Sequence, residues 1–215
     1  MKNVFVYPWV GKFYGKKGYY NKKIMILGES HYCNECDECS ASIENKCYIR
    51  KELIERFLEY KNSRDRRAFE KWFNTYTRFT NIFIGKSKKC DDETIIKFWH
   101  SILFYNYVQE PTEARNKPPT KEMFKNEDNE KGFFNILKNY SPDVIIAWGK
   151  RLWKNLPSNG FSDGKTILSR SSRFYNNGKN DIPIFFIDHP STGKNYDLSK
   201  RYIKRVKKEI SLVEQ

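Results

Sequence analysis

The run from Lys23 to Tyr32, KIMILGESHY, constrains this chain more than any other stretch. Four consecutive apolar residues, Ile24 to Leu27, meet Gly28 without a polar interruption. A short apolar run closed by glycine is the pattern of a strand buried on both faces, and such strands belong to parallel sheets covered by helices. Glu29, Ser30, His31 and Tyr32 follow at once. In an open α/β sheet ligands collect beyond the carboxyl ends of the strands, so a carboxylate, a hydroxyl, an imidazole and a phenol there form a candidate active-site lip.

Three further apolar runs end in polar residues. Leu103 to Tyr105 stop at Asn106, Val144 to Ala147 run into Trp148, Gly149 and Lys150, and Ile184 to Ile187 discharge into Asp188, His189, Pro190 and Ser191. Helical spacing separates them: Ile49, Leu53, Ile54, Phe57 and Leu58, then Arg64 to Phe83, then Thr94 to Ile102 behind Asp91, Asp92 and Glu93. Thr120 caps a helix that stops near Ser141-Pro142, Leu152 to Leu156 continue the Gly149 junction as a helix, and Tyr202, Val206 and Ile210 mark a terminal one. Strands alternating with helices predict a single-domain, three-layer α/β/α fold over residues 1–215, with a mostly parallel sheet of about four strands. Residues 1–22 read as a basic, aromatic arm packed on that domain, and 158–180 have too little periodicity for an assignment beyond a short edge strand at Thr166 to Leu168.

Charge narrows the partner. The chain has 40 Lys and Arg against 26 Asp and Glu, a net +14 spread along its length, and aromatics make up 16% of it. Rings interleaved with cations, as in Phe13 to Tyr20 and Arg173 to Tyr175, suit a polyanion whose bases stack while its phosphates are neutralised. No apolar run reaches the roughly 20 residues of a membrane span, and the first residues lack the apolar core of a secretory signal. The expectation is a monomeric, cytoplasmic protein with a nucleic acid as partner and no membrane association.

Reduced thiols are the rule in that compartment, so the five cysteines do not read as a disulfide framework. Cys33, Cys36, Cys39 and Cys47, in a loop over residues 33–47, have spacings that let four thiolates converge on structural zinc, with an iron-sulphur cluster as the alternative. Gly85-Lys86-Ser87 is not a phosphate loop, since Thr80 stands where its first glycine belongs. A zinc nucleobase deaminase is excluded, because neither His-x-Glu nor Pro-Cys-x-x-Cys is present.

Taken in order, Gly28-Glu29-Ser30-His31-Tyr32, Asn106, Val144 to Lys150 and His189-Pro190-Ser191 resemble the motifs of the uracil-DNA glycosylase superfamily. The resemblance implies that sheet framework, and an enzyme that flips a nucleotide and hydrolyses its N-glycosidic bond, with no cofactor needed for the chemistry. It implies Glu29 and His189 as catalytic residues, the first near the sugar and the second as donor to the departing base. Ser30, His31, Tyr32, Asn106 and Trp148 would surround the base, and Lys150, Ser191, Thr192 and Lys194 would contact DNA. Ser30 and His31 depart from the Asp and Pro of the best-known branch. The target is accordingly uracil or a modified pyrimidine, such as glucosylated hydroxymethylcytosine in phage DNA, removed as an antiviral defence. A noncatalytic, metal-stabilised nucleic-acid-binding module is the alternative from a different class.

Overall fold

In a computed structural model of the protein, the residues described are 1–16, 19–32, 49–63, 65–84, 89–112, 117–158, 161–162, 172–191, 204 and 206–208. The four expected strands are β2 (Ile24–Gly28), β4 (Leu103–Asn106), β6 (Val144–Trp148) and β9 (Asp181–Ile187). They lie side by side in the order β4-β2-β6-β9, and every pairing among them is parallel. A parallel arrangement puts all four carboxyl ends on one edge.

The sheet as a whole corrects the expectation of a mostly parallel, roughly four-stranded one. Among the described residues it has seven strands and is mixed. β1 (Trp9–Val10) adds antiparallel to β4, while β8 (Ser172–Asn176) and β7 (Phe161–Ser162) add antiparallel beyond β9. These edge strands are short or polar, so no apolar alternation announces them. Pro183 illustrates the junction: β9 pairs with β6 only from Ile184 onward, so the residue without an N–H sits where β8 alone is its partner. A separate parallel pair joins β3 (His31–Tyr32) to β5 (Pro111–Thr112).

Alternation along the central strands sends side chains to two cores. Ile24, Ile26, Phe104, Ile146, Trp148 and Ile187 join the apolar faces of α1 (Ile49–Asn62), α2 (Phe73–Phe83) and α3 (Asp92–Trp99). Met25, Leu27, Tyr105, Ile145, Ala147 and Ile184 join those of α4 (Lys121–Lys125), α5 (Glu127–Tyr140) and α6 (Lys150–Asn155). Helices thus cover both faces of the sheet.

Caps set several helix limits. Asp91 accepts from the Thr94 N–H at 2.7 Å to begin α3, and Thr120 accepts from Met123 to begin α4. The single helix expected after Thr120 is two, because Asn126 accepts from the Asp128 N–H at 2.9 Å and starts a second helix there. Similarly, α2 begins at Phe73 and not near Arg64: the Asp65 carboxylate accepts from the Arg67 N–H at 2.9 Å, holding a local turn in place of helix.

Candidate active site at the strand ends

The carboxyl ends of β2, β4, β6 and β9 bring Glu29, Ser30, His31, Asn106, Trp148 and His189 to one rim. At its start Gly28 pairs with Asn106 across the β2–β4 ladder. The ladder runs past the strand itself, with the Tyr107 N–H donating to the Gly28 carbonyl at 3.0 Å and Val108 to the Glu29 carbonyl at 2.9 Å. These bonds hold the polar residues after β2 against the end of β4.

Asn106 is buried, and its Nδ2 donates to Nδ1 of His31 at 3.3 Å. Accepting at Nδ1 puts the imidazole proton on Nε2. Burial lowers the His31 pKa from 6.5 to about 4, so the ring is neutral at pH 7. Among the described residues, His31 Nε2, Ser30 Oγ and Trp148 Nε1 are buried polar atoms without a protein hydrogen-bond partner. Ser30 and His31 adjoin each other after β2, and two such atoms together are unusual for a purely structural edge, since an unmade buried hydrogen bond costs roughly 1–3 kcal/mol.

His189 is half-buried beside β6, its ring 5.8 Å from that of Trp148 in an edge-on contact. The Ser191 N–H donates to His189 Nδ1 at 3.2 Å, and Ser191 Oγ lies 2.7 Å from the same nitrogen. A backbone N–H can only donate, so Nδ1 is an acceptor and the proton of the neutral ring is on Nε2. Burial lowers the His189 pKa, Glu29 opposes that shift and Arg151 adds to it. The Glu29 carboxylate therefore favours the charged form of the His189 ring against its burial.

Arg151 is a residue that sequence reasoning missed. From the first turn of α6 its Nε donates to Glu29 Oε1 at 2.6 Å and its Nη2 donates to Oε2, a two-point ion pair. The strand-to-helix junction was visible, and Lys150 was the cation expected to serve it. Lys150 is exposed at the head of α6, and the phase of the helix turns the next residue toward Glu29. Gln109 was missed too. Its Nε2 donates to the Asn106 carbonyl at 2.6 Å, its Oε1 accepts from the Val6 N–H, and its own N–H donates to Asn129 Oδ1, tying the Asn106 turn to the N-terminal segment and α5.

Trp148 is buried among Phe79, Phe104 and Tyr76 and meets the rim through His189. Tyr32 lies on β3, its backbone paired with Thr112. Ser191 is exposed, and its carbonyl accepts from Arg78 at 3.4 Å. Thr192, Lys194 and the four loop cysteines, Cys33, Cys36, Cys39 and Cys47, lie outside the described residues, as does Thr166 to Leu168. Among the described residues no group of three or more His, Cys, Asp or Glu is arranged to hold a metal, and no helix is long and apolar enough to cross a membrane. No known protein family's sequence profile matches the chain, and no curated protein matches it.

Proposed function

We propose that the protein is a DNA glycosylase of the uracil-DNA glycosylase kind, hydrolysing the bond between a flipped base and its deoxyribose. Glu29 and His189 carry this reading: they follow strands separated only by β6, about 10 Å between backbones at ordinary strand spacing, and the Glu29 carboxylate works against the lowering of the His189 pKa. Breaking an N-glycosidic bond builds positive charge on the sugar and negative charge on the departing base. A carboxylate on one side and an imidazole Nε2–H on the other meet those two needs. The base leaves with the bonding electron pair, and water supplies hydroxyl to the sugar carbon and a proton to the base.

Asn106 has the donor and acceptor that a Watson–Crick edge requires, and its contact with a neutral His31 supports a polar face that reads the base. His31 and Ser30 line the position where a departure from the best-known branch would alter the target. Uracil and enlarged pyrimidines are therefore the substrates to try together.

Incubating the protein with duplexes carrying uracil, thymine mismatches or glucosylated hydroxymethylcytosine, then treating with alkali, tests the proposal. Strand breaks at one of these bases, lost on replacing His189, support it. DNA binding without breaks at any of them, unaffected by replacing Glu29, Asn106 or His189, would leave the noncatalytic binding module in its place.

A further inference from the structure

The Glu29–Arg151 pair divides unequally between interior and solvent. Glu29 is 9% exposed at its side chain and Arg151 47%, so the carboxylate lies beneath and the guanidinium faces outward. An approaching polyanion meets the positive end of the pair first. Arg151 also stands near the middle of the rim, because α6 leaves the end of β6, the strand between β2 and β9. Exposed Lys150 is its chain neighbour, and Arg78 donates to the His189-Pro190-Ser191 turn at Ser191.

We propose that Arg151 binds a backbone phosphate of DNA beside the everted nucleotide, with Glu29 as the buried residue that aims it. A guanidinium carries five N–H groups in a rigid fork, and Glu29 engages two of them, one on Nε and one on Nη2. Holding that fork in one plane before DNA arrives removes part of the ordering cost that a loose arginine would bear on binding. A lysine at this position would lack the two-point grip and the fixed plane. The role rests on the reading of this rim as a DNA site, and it adds a binding residue that the motif resemblance does not supply.

The test is the salt dependence of binding to a duplex of fixed sequence, measured for the full chain. The double variant Glu29→Gln/Arg151→Gln leaves the net charge unchanged and replaces the ion pair by a neutral amide pair, so it avoids stranding the buried Glu29 carboxylate without its partner. Loss of one phosphate contact lowers the slope of log affinity against log salt by about 0.9, with affinity at low salt falling on the order of tenfold. Arg151→Lys, which keeps a cation over Glu29, retains the slope. Lys179→Gln, in the turn before β9 at the opposite end of the sheet, leaves slope and affinity as they were. A double variant with the wild-type slope overturns the inference, even if the protein releases bases. A reduced slope in a protein that releases no base sustains it while the glycosylase reading fails, and failure to bind DNA at all overturns both.

Discussion

The side-chain oxygen of Asn106 lies 2.0 Å from where a Cβ on Gly28 would stand. The two residues face each other across parallel strands, so the amide occupies space that exists only because residue 28 has no side chain. Gly28→Ala therefore pushes Asn106 away from His31, at about 1–3 kcal/mol by the usual cost of overpacking. The shift shows as a lowered urea midpoint and, under the proposed glycosylase function, as reduced base release. Adding Asn106→Ala removes the severe overlap, leaving the 3.0 Å approach of Phe104 Cζ, and returns part of the stability while leaving activity low; a double variant as unstable as Gly28→Ala would refute the steric account.

His189 and Ser191 separate by role. If the protein is the glycosylase proposed above, His189→Ala removes the donor to the departing base and lowers base release on the order of a hundred- to a thousandfold. Ser191→Ala keeps the backbone N–H that fixes Nδ1 as an acceptor, so its loss stays below about tenfold. Single-turnover base release with saturating enzyme reads both, and equal losses in the two variants would remove the tautomer argument.

Acid destabilises this site with a definite sign. Burial lowers the His189 pKa below 6.5, with Glu29 opposing and Arg151 reinforcing the shift. As pH falls through 6.5 the unfolded chain takes up a proton that the folded ring still refuses, so stability declines until the lower folded pKa is reached and then levels off. Urea midpoints between pH 7 and 5 should fall less steeply for His189→Gln than for the wild type. Parallel slopes would mean the ring is not held neutral by the fold.

Gln109 links Asn106 to the N-terminal segment through two side-chain bonds. Gln109→Leu keeps the volume but leaves the Asn106 carbonyl and the Val6 N–H without that partner, at a cost of about 2 kcal/mol. Its bond from the backbone N–H to Asn129 survives, so Asn129→Ala should add a separate loss. Chemical denaturation of the single and double variants measures both, and a Gln109→Leu protein as stable as the wild type would contradict the linkage.

The elements that could be read from the chain are those whose signal is local. Ile24 to Leu27, Leu103 to Tyr105, Val144 to Ala147 and Ile184 to Ile187 announce buried strands by apolar runs, and all four form the parallel heart of the sheet. The polar residues after them followed to one edge because parallel strands share a carboxyl end. Trp9–Val10, Phe161–Ser162 and Ser172–Asn176 carry no such signal; they become strands because an open sheet edge pairs with whatever backbone lies beside it.

Sequence by itself determined which residues cluster, since strand ends and burial follow from hydrophobic patterning along the chain. Tertiary structure alone decided how they pair: that Arg151 and not Lys150 grips Glu29, that His31 meets Asn106, and that Gln109 braces the turn. Those contacts span 122, 75 and 3 positions. Each depends on the angular phase of a helix or the path of a turn, quantities that burial periodicity does not encode at the resolution of a single side chain.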